Sequence, residues 1–114
     1  VYCGDSYFRY SYQRVNHKIP IREILYFESN KRKVFIVTEK DTFVAYGKLN
    51  NIEESLKQSK VPFLRVHQSY LVNPYEINRY YPDRVEMVGK MLLPISESRQ
   101  REVKEKFHSF LREL

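Results

Sequence analysis

"FLRVHQSYLVNPYEI" (Phe63–Ile77) is the stretch on which the reading of this chain turns. It begins and continues like a strand, through Phe63, Leu64, Val66, Tyr70, Leu71 and Val72. Yet Arg65, His67, Gln68 and Ser69 crowd into its middle. Successive strand side chains alternate between faces. Arg65, His67 and Ser69 are therefore expected on one face, bracing the segment through hydrogen bonds, with Gln68 on the other. His67 with Ser69 is the most enzyme-like pairing in the chain, but no residue is nominated as orienting group or oxyanion donor. A hydrogen-bonded structural histidine is the expected reading, because buried polar groups must find partners. At the exit, Asn73 suits an N-cap and Pro74 a first helical position, and Glu76 is placed to close a capping box.

Outward from this stretch the pattern is dominated by strands. Tyr7–Val15 alternates aromatic and polar residues and reads as one half-exposed strand. After Pro20 a strand resumes over Ile24–Glu28, and Asn30–Lys33 is a polar turn into Val34–Thr38. A second hairpin leads to Thr42–Tyr46. Leu49, Ile52 and Leu56 then trace one face of a short helix that ends before Pro62. Beyond Ile77, "INRYY", "RVEMV" and "MLLPI" are separated by turn residues and suggest a three-stranded meander. From Glu97 the period becomes helical, with Val103, Phe107, Phe110 or Leu111, and Leu114 as the apolar stripe and Ser96 or Ser98 as N-cap.

The chain has 114 residues, one domain's worth, with 42% hydrophobic and 15% aromatic residues, enough for a modest core. No apolar run approaches the roughly 18 residues of a membrane span. Cys3 is the single cysteine, so no intrachain disulfide is expected and a reducing cytoplasm is the simplest location. His17, His67 and His108 are dispersed, without the close pairings of zinc or iron sites, and only three glycines exist, with no phosphate-cradling loop. No metal, cofactor or catalytic residue is expected. The net charge of +6 points to an anionic partner. Lys31, Arg32 and Lys33 at a hairpin tip are the leading cations, joined by Arg65, Arg84, Arg99 and Arg101. Two arginines at a helix N-terminus oppose the macrodipole, which suits an anion drawn from outside. The abrupt start in strand-like sequence suggests a piece of a longer protein.

The run Phe63, Arg65, His67, Ser69, Val72 and Asn73 closely resembles the F-x-R-x-H-x-S-x-x-V-N signature of LytTR-type DNA-binding domains. "IREILYFES" (Ile21–Ser29) and "LLPISESR" (Leu92–Arg99) extend the resemblance over about Tyr7 to Leu111. It implies a mainly β fold, an elongated stack of small antiparallel sheets with a short internal helix and a C-terminal helix. It further implies the output domain of a bacterial two-component response regulator that reads double-stranded DNA by loop side chains in two successive major grooves and the minor groove between. Carried over, Asn30, Lys31, Arg32 and Lys33 meet one major groove, and Gln68, between His67 and Ser69, makes the second contact. The third falls on Glu97, where relatives commonly have a basic residue, with Arg99 able to take its task. Arg84 matches a basic position that holds phosphate. The implied partner is duplex DNA with repeated half-sites, bound as a homodimer formed through a receiver domain missing here.

Two other classes compete. Ten tyrosines and seven phenylalanines among basic residues could form stacking platforms for RNA or single strands. Exposed sheet edges could instead serve a protein-interaction module.

Overall fold

The computed structural model describes residues 7–114, so Cys3 lies outside the described residues. The chain opens with β1 (Tyr7–Tyr12) and β2 (Val15–Pro20), paired antiparallel from Tyr7 opposite Pro20 to Tyr12 opposite Val15. The segment Tyr7–Val15, expected as one strand, is thus most of a hairpin. Its turn residues Gln13 and Arg14 both have positive φ, 51° and 66°. Those are the dihedral signs that match the twist of paired strands. No Gly or Asn marks the turn, so the alternating pattern runs across it unbroken.

A 3-10 turn over Ile21–Glu23 leads into β3 (Ile24–Asn30), β4 (Lys33–Thr38) and β5 (Thr42–Tyr46). Helix α1 (Leu49–Leu56) follows and buries Leu49, Ile52 and Leu56, the stripe expected from their spacing. The opening stretch then divides into β6 (Leu64–His67) and β7 (Tyr70–Val72), joined at Gln68-Ser69. The expected single strand is a tight hairpin, and Ser69 lies in its turn rather than on a strand face with Arg65 and His67. A 3-10 turn, Pro74–Glu76, precedes the meander β8 (Ile77–Tyr81), β9 (Arg84–Met87) and β10 (Leu92–Pro94). A last 3-10 turn, Glu97–Arg99, runs into α2 (Gln100–Arg112).

These strands form three antiparallel sheets: β1-β2, β10-β9-β8, and a central sheet in the order β5-β4-β3-β7-β6. The central sheet is covered on both faces. On one, Ile24, Phe27, Val34, Ile36 and Leu71 meet the β1-β2 hairpin through Phe8, Tyr10 and Ile19, and meet α1. On the other, Leu25, Tyr26, Leu64, Val66 and Val72 meet Val85 and Met87 of the meander and Val103, Phe107 and Phe110 of α2. A bulge between Ile24 and Tyr26 lets β3 send Leu25 and Tyr26 to the same cluster. The described part of the chain measures 40 × 29 × 25 Å. It is the elongated stack of small sheets, with one internal and one C-terminal helix, that the resemblance implies.

Two local expectations change. Asn73 does cap the Pro74–Glu76 turn, its side chain accepting from the Tyr75 N–H at 3.0 Å. The Glu76 capping box does not form, because the Asn73 N–H donates to the Leu25 carbonyl at 2.9 Å. The terminal helix is α-helical only from Gln100, and neither Ser96 nor Ser98 caps it with a side chain. Phe110 is buried, Leu111 is exposed, and Leu114 lies beyond the helix, 72% exposed.

Candidate nucleic-acid interface

The first turn at this end of the central sheet closes β3 on β4. Asn30 pairs with Lys33, so Lys31 and Arg32 form the two-residue turn, with Lys31 at a φ of 58°. All four side chains are exposed. The Arg32 carbonyl accepts from Gly47 N–H at 3.0 Å, tying the turn to the end of β5.

The second turn, Gln68-Ser69, is built differently. Outside glycine, positive φ occurs among the described residues at Gln13, Arg14, Lys31 and Lys90, so neither Gln68 nor Ser69 has the twist-matching geometry of a two-residue hairpin. Such a turn splays its strands unless something else holds it. Arg65 supplies the hold: Nε donates to the His67 carbonyl at 2.8 Å and Nη2 to the Gln68 carbonyl at 2.6 Å. His67 accepts the Ser69 N–H on Nδ1 at 3.0 Å, which leaves the ring N–H on Nε2. Tyr70 lies 5.5 Å from the same ring, its phenol pushed up by burial and by the Glu28 carboxylate. The neighbouring carbonyls are also taken, Val66 by Ser96 N–H and Ser69 by Ser29 N–H, each at 2.8 Å. Gln68 is exposed on a backbone whose carbonyls from Val66 to Ser69 all have named donors.

The same bonds join the remaining residues of interest. Ser29–Ser69 sets the Asn30–Lys33 turn beside Gln68, and Ser96–Val66 sets the Glu97–Arg99 turn beside β6. Ile95 N–H donates to the Asp83 carbonyl at 2.9 Å, which brings in the β8–β9 turn with Arg84. Within this array Arg99 Nη1 donates to Ser96 Oγ at 3.2 Å. Glu97 is exposed in the first turn, where a carboxylate suits the N-terminal end of a helix. Arg84 is held by Asp83 at 2.7 Å and lies 4.0 Å from the Tyr81 ring centroid. On α2, by contrast, Arg101 faces Glu105 and Lys106 faces Glu102, each at 3.7 Å in helical register.

Of the histidines, His17 stacks on Tyr10 at 4.8 Å, His67 serves the turn, and His108 lies 6.4 Å from Tyr80. Among the described residues no three His, Cys, Asp or Glu side chains are grouped to hold a metal ion, and no helix is long and apolar enough to cross a membrane.

A family model for the LytTr DNA-binding domain matches residues 14–108. The chain belongs to that family. A solved LytTr DNA-binding domain, from a protein of Bacillus cereus assigned as a methyl-accepting/DNA response regulator, superposes with a TM-score of 0.72. That match covers 95% of this chain and 98% of the other at 24% identity, and it carries the fold. A comparison with curated proteins found no match.

Two residues of this LytTr domain escape the sequence reading. Asn50 Oδ1 and Glu53 Oε1 on α1 accept from Arg65 Nη1 at 2.8 and 2.7 Å. Their spacing of three residues on one helix is the available signal, since such residues are neighbours on the helix surface.

Proposed function

We propose that this LytTr domain is a sequence-specific reader of double-stranded DNA and the single DNA-binding output domain of a longer two-component response regulator working in the cytoplasm. Gln68 and one cation of Lys31, Arg32 and Lys33 read base edges, while the remaining cations with Arg84 and Arg99 hold phosphates. Glu97, a carboxylate in the first turn beside Ser96, would repel phosphate and leaves the third contact to Arg99. Two such domains, paired through a receiver domain, occupy repeated half-sites.

The observation that supports this reading is the set of backbone hydrogen bonds that ties each proposed contact turn to a neighbouring element: Arg32 to Gly47, Ser69 to Ser29, Val66 to Ser96 and Asp83 to Ile95. The 40 Å length is also sufficient, since one turn of DNA spans roughly 34 Å. Burial of the aromatic residues argues against a single-strand stacking surface. Phe8, Tyr10, Tyr26 and Phe27 are in the cores, and the exposed Tyr7, Tyr46 and Tyr75 are scattered over separate elements.

Selection from random duplex DNA tests the proposal, followed by titration of the recovered and a scrambled duplex. With four or five phosphates neutralised, log K should fall with log salt at a slope of roughly −4. Gln68→Ala should weaken the recovered duplex by roughly 1–3 kcal/mol and leave the scrambled duplex and the salt slope unchanged. Arg32→Ala should flatten the slope by about one if Arg32 touches phosphate, and spare it if Arg32 reads bases. A slope of zero, or tighter binding to single strands, refutes the duplex reading.

A further inference from the structure

Helix α1 lies outside every contact proposed above, yet two of its residues are bound by the residue that shapes the Gln68 turn. The Arg65 side chain is 11% exposed and its guanidinium makes four hydrogen bonds: two to α1, at Asn50 and Glu53, and two to the carbonyls of His67 and Gln68. A planar guanidinium offers its donors in a rigid fork, so fixing one side of it fixes the direction of the other. Glu53, its side chain 33% exposed, supplies the one bond of the set in which both partners are charged. Without it, Arg65 keeps its charge but is tied to the helix by Asn50 alone. The turn it spans lacks the dihedrals that would hold it unaided.

We propose that Glu53, assisted by Asn50, is a positioning residue for base reading: through Arg65 it holds the Gln68 turn in the pose that discriminates between DNA sequences. This rests on the reading of Gln68 as a base contact. Neither α1 residue belongs to the proposed contact set, and the carboxylate itself would repel phosphate. Its benefit is therefore confined to selectivity, whereas a purely structural residue would support all binding equally.

Glu53→Ala, Glu53→Gln, Gln68→Ala and the double variant Glu53→Ala/Gln68→Ala separate these cases. Each whole chain is titrated with the selected duplex and with its scrambled counterpart, and its folded fraction is measured by circular dichroism. Glu53→Ala should lower the ratio of selected to scrambled affinity about tenfold, within the range of couplings between residues in one network. Affinity for the scrambled duplex should not fall, because a negative charge has gone. Glu53→Gln still presents an acceptor to Arg65 and should keep the ratio within about threefold of the parent. The double variant should lose no more selectivity than Gln68→Ala alone. The proposal is overturned if Gln68→Ala lowers the ratio but Glu53→Ala does not, if Glu53→Gln fails to rescue it, or if the two losses multiply in the double variant. It is also overturned if Glu53→Ala weakens both duplexes in step with its unfolded fraction. A Gln68→Ala chain with an unchanged ratio removes the underlying assignment of Gln68 instead.

Discussion

Replacing Asn73 by alanine should be among the most damaging single changes in this domain, although it lies outside the proposed contact set. The side chain is 0% exposed. Its Nδ2 donates to the Ile24 carbonyl at 2.9 Å, and its Oδ1 accepts from the Tyr75 N–H at 3.0 Å. It therefore joins the start of β3 to the exit of β7 and starts the turn that feeds the meander. Losing a buried partner costs about 1–3 kcal/mol and losing a cap about 0.5–2, so Asn73→Ala should cost about 2–4 kcal/mol. Domains have about 5–15 kcal/mol in total, and each kcal/mol shifts Tm by about 4–8 °C at this size, giving a fall of about 10–30 °C. Urea unfolding followed by far-ultraviolet circular dichroism should show a lower midpoint with an unchanged slope. Asn73→Asp adds a second test. It keeps an acceptor for Tyr75 but turns a carboxylate oxygen toward the Ile24 carbonyl, which raises its folded pKa above the unfolded value near 3.9. Such a group favours folding below the unfolded pKa and loses that contribution as pH rises through the folded one. The deficit of Asn73→Asp should therefore shrink from pH 7 toward pH 4. A loss below about 1 kcal/mol for the alanine variant, or an aspartate deficit that does not vary with pH, would refute the account.

His67→Ala should lower stability by about 1–3 kcal/mol by orphaning the Ser69 N–H, with DNA binding falling only as the unfolded fraction grows. A fully stable variant without specific binding would make His67 a contact residue instead. Glu76 is pushed up by burial and secondarily by the Glu39 carboxylate, so its contribution favours folding below the unfolded pKa and is lost as pH rises through the folded one. Glu76→Gln should accordingly raise the urea midpoint at pH 7 by an amount that disappears toward pH 4, and a pH-independent difference would exclude this cause. Asp83→Ala should release Arg84 from its 2.7 Å pair and tighten binding to selected and scrambled duplexes alike, by roughly threefold. Weaker binding in a gel-shift titration would mean that Asp83 positions Arg84 rather than restraining it.

The parts of this fold that could be read from residues are those set by local chemistry. The i, i+3, i+7 stripe of Leu49, Ile52 and Leu56, the meander with its Pro82-Asp83 turn and the Asn73 cap each follow from spacing or from a residue suited to one position. The failures lie where tertiary bonds override local signals. Gln13-Arg14 turns without glycine, held by the Tyr12–Val15 pair and by the packing of Phe8 and Tyr10 beneath it. Gln68-Ser69 turns without positive φ because Arg65 captures its carbonyls. That capture depends on Asn50 and Glu53, more than ten residues upstream, and no pattern within the Phe63–Ile77 stretch encodes it. For the candidate site, the basic turn of Lys31–Lys33 was legible as a cluster of charge. Its place beside the β6–β7 turn with Gln68 came only from the pairing of β3 with β7.

The pairing of β3 with β7 brings together residues about forty positions apart, Glu28 with Tyr70. Hairpins such as β1-β2 and β3-β4 close over a few residues and can form early, whereas the β3–β7 ladder must wait for the chain between them to be gathered. The basic turn at Lys31–Lys33 belongs to an early hairpin, and the Ser29–Ser69 bond beside Gln68 belongs to the late ladder. On the proposed function, a nascent or damaged chain would acquire its attraction for polyanions before any discrimination among them.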